Sequence, residues 1–349
     1  MRKLWLFIVI LLAVSCNKEE TEDGRGSKLV VNAEISQDVE PSKAVVTGKN
    51  FKQDNTMGLF VYHSETPAGA SPVEMTKFEL YGKRYGNIVA KFYTDRQPGY
   101  WKYKFADTSE DAYFDNIYLL KPTVSAFEGG LAVVAYAPWI KTAESITQIP
   151  FTIGGTSETV TDLMWAKQNQ NGDNYRIVPD GNGKTVKLTF QHALSMIKVS
   201  LKCAHSGSKM TVSAITLKKK TGATTPLYSK GSMNAMTGVI TGSANTSSIV
   251  YDFTDREHSF QTAYVDVPML ICPVENYGDG DYILEFKFNG QSLEQSSAYV
   301  ISSNDVGGKF DAGKVYSFKF TFDNHIRFDG VQVSTEWIET AANKETIIF

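Results

Sequence analysis

Alternation of apolar and polar residues at every second position constrains this chain more than any other feature of its sequence. Successive side chains of a β-strand point to opposite faces, so period-two alternation predicts a strand with one buried face. Short turns rich in Gly, Asn and Asp separate the alternating segments. The segments with the clearest alternation are residues 29–35, 186–190, 197–203, 282–288 and 316–322.

Two further segments, Leu131–Ala137 and Val265–Ile271, are apolar almost throughout. Such runs predict central strands that are buried on both faces. No segment beyond residue 15 sustains the 3.6-residue period of an amphipathic helix. The sequence therefore predicts an all-β chain.

The length of the chain, 349 residues with 42% hydrophobic residues, suits two domains with real cores. Loop-forming residues are densest at 168–184, and we place the domain boundary there. We therefore expect two β-sandwich domains in tandem, at 28–180 and 181–349.

The charge and the scarcity of reactive side chains exclude several classes of function. The net charge is −3 and there is no block of basic residues, which argues against nucleic acid as a partner. The five histidines and three cysteines show no metal-ligand spacing and no nucleophile motif. We expect no cofactor, no metal site and no catalytic residues, and hence not an enzyme.

The N-terminal segment has the features of an export signal and is set apart from the fold. Arg2 and Lys3 precede an apolar run at 4–14 that is too short to cross a bilayer as a helix. Small residues then lead to Cys16, an arrangement that resembles a bacterial lipobox. We expect a lipoprotein signal peptide at 1–15, a lipid on Cys16 and an acidic tether at 16–27. An ordinary signal peptide followed by a chance cysteine is the alternative.

Two cysteines remain in the body of the chain, Cys203 and Cys272. Two thiols cannot build a disulfide framework, and Cys203 is in phase with the apolar face of its predicted strand. We expect Cys203 to behave as a small buried hydrophobe, while a bridge between the two stays open.

Several short motifs occur in the order found in Bacteroidetes fimbrillins, and together they span nearly the whole mature chain. Each motif is weak alone, and their order and spacing carry the resemblance. The motifs are Met57-Gly58-Leu59-Phe60-Val61-Tyr62, Ala135-Tyr136-Ala137-Pro138-Trp139, Thr161-Asp162-Leu163-Met164-Trp165-Ala166, the stretch from Phe190 to Val199 that includes His192-Ala193-Leu194-Ser195, Pro268-Met269-Leu270-Ile271-Cys272-Pro273, and Gly313-Lys314-Val315-Tyr316-Ser317-Phe318-Lys319-Phe320 with Ile326 and Trp337.

The resemblance implies two transthyretin-like β-sandwich domains in a subunit of surface fimbriae (type V pili), with other pilin subunits as partners. Lys18-Glu19-Glu20 is similar to the surface-export signal of Bacteroidetes lipoproteins. The cell outer membrane and the fimbrium are therefore the expected locations. A ligand on a host or bacterial surface is a further possible partner. We interpret His192, which lies in one of the motifs, as a hydrogen-bonded structural histidine.

Fimbrillins assemble by donor-strand exchange, in which a protease removes the first strand and a strand of another subunit replaces it. Here the first strand would be 28–35, with Leu29, Val31, Ala33 and Ile35 on its apolar face. The family's protease cuts after Arg, whereas the matching bond here is Lys43–Ala44. A cut at Arg25 would spare the first strand.

The donor strand is expected at 331–349. Its apolar residues are Val331, Val333, Trp337, Ile347 and Phe349. The alternative is that these residues complete the sheet of their own domain.

A cluster of aromatic residues at Tyr100-Trp101-Lys102-Tyr103 supports a different function. Exposed aromatic rings stack on sugars, which would fit a surface glycan-binding lipoprotein of a nutrient-uptake system. Alternatively, Trp101 and Tyr103 pack in the core of the first domain.

Overall fold

A computed structural model of the chain describes residues 26–36, 51–64, 78–80, 85–96, 98–106, 108, 112–120, 131–156, 162–167, 177, 182–205, 211–252, 258–259, 262–289, 297–323 and 325–335. The all-β prediction is confirmed, because these residues form twenty-two strands and a single helix of four residues. In this part of the chain no helix is long and apolar enough to cross a membrane.

The strands and the helix have the following bounds: β1 Gly26–Ile35, β2 Thr56–Ser64, β3 Phe78–Leu80, β4 Ile88–Tyr93, β5 Tyr100–Lys104, β6 Ile117–Leu120, β7 Leu131–Ala137, β8 Ile149–Thr152, β9 Gly155–Thr156, β10 Met164–Lys167, β11 Lys184–His192, β12 Ser195–Cys203, β13 Thr211–Lys219, β14 Tyr228–Met233, β15 Ile240–Asn245, β16 Ser248–Asp252, β17 His258–Ser259, β18 Val265–Ile271, β19 Tyr282–Asn289, β20 Ser297–Ile301, α1 Ser303–Val306, β21 Val315–Asp323 and β22 His325–Ser334.

The strands form four sheets. The first has nine strands in the order β5-β4-β2-β7-β10-β11-β1-β6, with β3 paired to β2. The second has the order β18-β12-β21-β22. The third has the order β20-β19-β13-β16-β9, with β17 paired to β13, and the fourth has the order β15-β14-β8.

Two hydrophobic cores lie between these sheets. The smaller core is formed by one face of the nine-stranded sheet, and strands from both ends and the middle of that sheet contribute residues to it. The larger core lies among the other three sheets and includes β12, β13, β18, β19 and β21. Alternate residues of each strand enter a core, as the period-two pattern predicts.

Strands β2 and β7 contribute to both cores. Phe60 and Tyr136 belong to the larger core, whereas Leu59 and Ala135 belong to the smaller one. Every residue of β7 is buried, which confirms the prediction of a strand buried on both faces. The two cores therefore share a layer, and the apolar run at Leu131–Ala137 is the sequence signal of that layer.

The same prediction is wrong for β18. This strand lies at an edge of its sheet and pairs with β12, and Asp266 and Pro268 on its outer face are half-buried. Asp266 accepts a hydrogen bond from Ser200 and forms an ion pair with Lys198. The apolar run is therefore an edge strand whose outer face is half-buried at Asp266 and Pro268 and becomes buried at Leu270.

Strand pairing crosses the domain boundary expected at residue 180 in both directions. β11, which follows the boundary, pairs with β1 in the nine-stranded sheet. β8 and β9, which precede the boundary, pair with β14 and β16. The domain limits 28–180 and 181–349 stay a prediction, and the sheets themselves interleave across them.

Candidate functional site

The first strand, β1, lies inside the nine-stranded sheet and not at its edge. It pairs in parallel with β11 from Leu29 to Ile35 and antiparallel with β6 from Gly26 to Leu29. The backbone N–H of Ser36 donates to the carbonyl of Phe190 at 2.7 Å and ends the ladder with β11. In the described part of the chain, β1 beyond Leu29 is therefore paired on one side, by β11.

The apolar face of β1 points into the smaller core, as predicted. Leu29 is 1% exposed and Val31 is 6% exposed. Ala33 and Ile35 are half-buried and pack against the same core. The hold on β1 is therefore strongest at Leu29, where the backbone pairs on both sides and the side chain is buried.

The polar face of β1 is anchored by one acid. Oε1 of Glu34 lies 2.8 Å from Nζ of Lys187 and accepts a hydrogen bond of 3.1 Å from Oγ1 of Thr189. The hydrogen bond from Lys187 is the largest influence on this carboxyl, and together with that from Thr189 it lowers the pKa of Glu34 below its ordinary value. Neither partner is predicted from the sequence, because the polar residues of β11 have the pattern of an ordinary solvent-exposed face.

A cleft of about 640 Å³ runs along β1. One wall is residues 28–34, and the opposite wall belongs to β4, β5 and the turn between them. The hydroxyl of Tyr103 forms a hydrogen bond with the backbone of Val31 across the cleft, and burial raises the pKa of this tyrosine. The two ends of the nine-stranded sheet thus approach each other here.

Aromatic rings fill the inner end of the cleft. The ring centre of Trp101 is 5.0 Å from that of Phe51 and 4.9 Å from that of Phe92. Phe51 also meets Phe190 of β11 at 5.3 Å. Phe51 was not predicted as a core residue, because it stands alone between Asn50 and Lys52 with no periodic pattern.

The aromatic cluster at 100–103 divides between the core and the surface. Trp101 and Tyr103 are 7% and 4% exposed in the smaller core, as the structural alternative predicted. Tyr100 faces outward, with the guanidinium of Arg96 3.6 Å from its ring centre and Tyr93 stacked at 5.7 Å. Because its own neighbours cover the ring of Tyr100, the cluster does not form an open platform for sugars.

The C-terminal strand, β22, is an edge strand of the second sheet and pairs with β21. Val331 lies opposite Phe318 and packs against the larger core, while Val333 lies opposite Tyr316 and is 47% exposed. Both valines thus lie in the sheet of their own chain. The other residues of the expected donor strand, Trp337, Ile347 and Phe349, lie outside the described residues.

The residues expected to be processed or lipidated also lie outside the described residues. These residues are Cys16, Lys43 and Ala44. The structure describes the chain up to Ser36 and again from Phe51, so the Lys43–Ala44 bond falls between β1 and the rest of the sheet in sequence.

The side chains of His192 and of the two remaining cysteines lie inside the fold. Nδ1 of His192 lies 2.8 Å from Oδ2 of Asp162, and both side chains are enclosed. Cys203 and Cys272 are free and buried, and burial raises the pKa of the Cys272 thiol to about 12. A thiol with so high a pKa stays protonated and unreactive. Within the described ranges no group of three or more His, Cys, Asp or Glu side chains could hold a metal ion.

Comparisons with known proteins converge on one kind of molecule. A family model described as fimbrillin-like matches residues 43–337. No curated protein matches the chain. Among solved structures, a protein assigned to cell adhesion from Bacteroides ovatus gives a TM-score of 0.54 at 16% identity, covering 90% of this chain and 99% of that one.

Two further solved structures, also assigned to cell adhesion, give a similar result. The protein from Bacteroides uniformis has a TM-score of 0.54 at 14% identity, over 90% of this chain and 98% of that one. The protein from Bacteroides fragilis has a TM-score of 0.52 at 8% identity, over 90% and 99%. At these identities the likeness shows a shared fold.

Proposed function

Because the chain belongs to the fimbrillin-like family, we propose that it is a structural subunit of surface fimbriae and is polymerised by exchange of its first strand. The family and the fold are those of fimbrial proteins and not of enzymes. The exchange of a strand is a form of β-augmentation, in which an extended segment pairs with a sheet edge and its alternate side chains fill pockets.

The placement of β1 is the observation that carries this proposal. Removing β1 would uncover the paired edge of β11 and the space that Leu29 and Val31 fill. An uncovered edge with an apolar groove is a strong template for another strand. A folded subunit without β1 would therefore bind a strand that offers the same alternation.

The cut that frees β1 is assigned to the Lys43–Ala44 bond. Downstream of β1, the chain reaches the rest of the fold through residues 37–50 alone. One cut there separates β1 covalently from every other strand that the structure describes, while its pairing with β11 and β6 still holds it in place. Polar segments that contain Pro and Ser are common sites of proteolysis, and this one contains Pro41 and Ser42.

The incoming strand is assigned to residues 331–349 of another subunit, which include β22 from Val331 onward. An edge strand is held from one side, so its release requires less disruption than that of a central strand. Before processing, a lipid on Cys16 holds the subunit at the cell outer membrane, exposed on the surface. The assembled fimbriae then support adhesion and biofilm formation.

Gel electrophoresis without full denaturation tests the assignment of the cut. Wild-type cells should yield a ladder of polymers, and Lys43→Ala should yield a monomer that retains residues 16–43. Lys49→Ala is the matched control, because it changes a lysine of the same segment and should leave the ladder intact. A ladder from Lys43→Ala that has lost β1 would show that the cut lies elsewhere.

A further inference from the structure

Strand β11 carries a pair of side chains, Lys187 and Thr189, that hold a single acid of β1. In the parallel register Thr189 lies directly opposite Glu34, and Lys187 lies opposite Asn32 and reaches Glu34 diagonally. Both β11 side chains bind the same oxygen, Oε1 of Glu34. The two side chains therefore distinguish one position along the edge of β11 from the others.

A specific contact at one position matters because alternation alone does not fix the register of a replacement strand. A slip of one residue would turn the apolar face outward and is strongly disfavoured. A slip of two residues keeps every apolar side chain on the inner face. Two features of β1 distinguish the correct register from such slips, namely the acid at Glu34 and the small residue Ala33 between larger ones.

The same pattern recurs once near the C-terminus. Residues 331–337 read Val-Gln-Val-Ser-Thr-Glu-Trp, and residues 29–35 read Leu-Val-Val-Asn-Ala-Glu-Ile. In this alignment Thr335 takes the place of the small residue Ala33, and Glu336 takes the place of Glu34. The inner residues then pair as Val331 with Leu29, Val333 with Val31, and Trp337 with Ile35.

We propose that Lys187 and Thr189 set the register of strand exchange, so that residues 331–337 of a second copy replace 29–35 residue for residue, with Glu336 in the place of Glu34. This inference rests on the proposed function and specifies its partner segment. The same two side chains hold β1 before processing and the incoming strand after it.

The energies fit a role in register and not in affinity. The side chains of Lys187 and Glu34 are 58% and 48% exposed, and exposed ion pairs contribute little to stability. Affinity comes from the apolar residues that fill the core. The ion pair needs only to favour one of several registers that bury similar side chains, for which a severalfold preference is enough.

Disulfide trapping tests the register directly. Copies with Thr185→Cys are mixed with copies carrying Gln332→Cys or Ser334→Cys, two positions on the same face of the incoming strand, so that Lys187, Thr189 and Glu336 all stay in place. Gln332 takes the place of Val30, which lies opposite Thr185, so the 185–332 pair should give the main covalent dimer on a denaturing gel without reductant. The native Cys203 and Cys272 are buried, and each copy with one added cysteine alone is the control.

The outcomes separate this inference from the proposed function. Polymers that cross-link at 334 in preference to 332 would overturn the register and leave strand exchange intact. Absence of polymers from wild-type protein after processing would contradict strand exchange, and the register with it.

Charge reversal gives a second test that does not depend on cysteine chemistry. Glu336→Lys should slow polymer growth about twofold to fivefold, because Lys187 then repels the incoming strand, and adding Lys187→Glu should recover it. Lys230→Glu, on β14 of another sheet, is the matched control and should not recover growth when it is added to Glu336→Lys. Equal recovery with the control, or no recovery with Lys187→Glu, would refute the role of Lys187.

Discussion

Shortening one apolar side chain of the first strand should loosen β1 by a predictable amount. Leu29 is 1% exposed in the smaller core, and Leu29→Ala removes about three buried carbons at ~0.8 kcal/mol each. The remaining cavity raises the loss of unfolding free energy to about 3 kcal/mol. Val30→Ala is the matched control, because Val30 is 36% exposed on the opposite face and should lose less than about 0.5 kcal/mol.

Urea unfolding of the full chain measures these two losses. The midpoint should fall clearly for Leu29→Ala and hardly for Val30→Ala, with an unchanged slope. Equal losses in the two variants would show that the apolar face of β1 is not enclosed, and would refute the reasoning from alternation to burial.

The same variant also tests strand exchange. A weaker hold on β1 should speed its replacement after processing, by up to roughly a hundredfold if the whole loss appears in the release step. Polymer growth after protease addition is followed on gels. Slower growth from a Leu29→Ala protein that is otherwise folded would contradict replacement of β1 as the step that leads to polymers.

Three further predictions address the rest of the fold. Ending the chain at Gly330 should abolish polymers and leave a folded monomer by circular dichroism, whereas an unfolded product would show that the fold cannot release residues 331–334 from β21. Gly58→Ala should lower the free energy of unfolding by about 1–3 kcal/mol in thermal melts, because an added Cβ would lie 2.2 Å from the ring of Tyr136. Gly183→Ala is the control and should be neutral, because the nearest atom to its added Cβ is 4.0 Å away. Because the pKa of Glu34 is lowered, its stabilising effect is present above its ordinary pKa of 4.5 and is lost as the pH falls through the lowered value. The unfolding free energies of wild type and Glu34→Gln should therefore differ at pH 7 and converge in acid. A difference that stays constant with pH would contradict this.

The alternation of apolar and polar residues predicts many strands of this protein correctly, because burial of one face of a strand leaves a period-two pattern in the sequence. β1 and β7 were recognised with their buried faces, and Trp101 and Tyr103 were foreseen as core residues under one alternative. The prediction for β18 is wrong because Asp266 and Pro268 interrupt the apolar run on the outer face of the strand.

Pairing between distant strands could not be read from the sequence. The alternation of β11 shows that it is a strand, but nothing in it names β1 as its partner more than 150 residues away. For the same reason the boundary at residue 180 divides strands that share a sheet. The cleft, the place of Phe51 in the core and the contacts of Lys187 and Thr189 all depend on that pairing. The sequence therefore predicts the residues that β1 contributes to the candidate site and not those of its partner strands.

The mass of the subunit in extracted fimbriae tests the central claim most directly. If the first strand is removed and replaced, mass spectrometry of purified filaments should find a chain that begins at Ala44 and lacks residues 28–35. Filaments built from a chain that still begins at a lipidated Cys16 would contradict strand exchange.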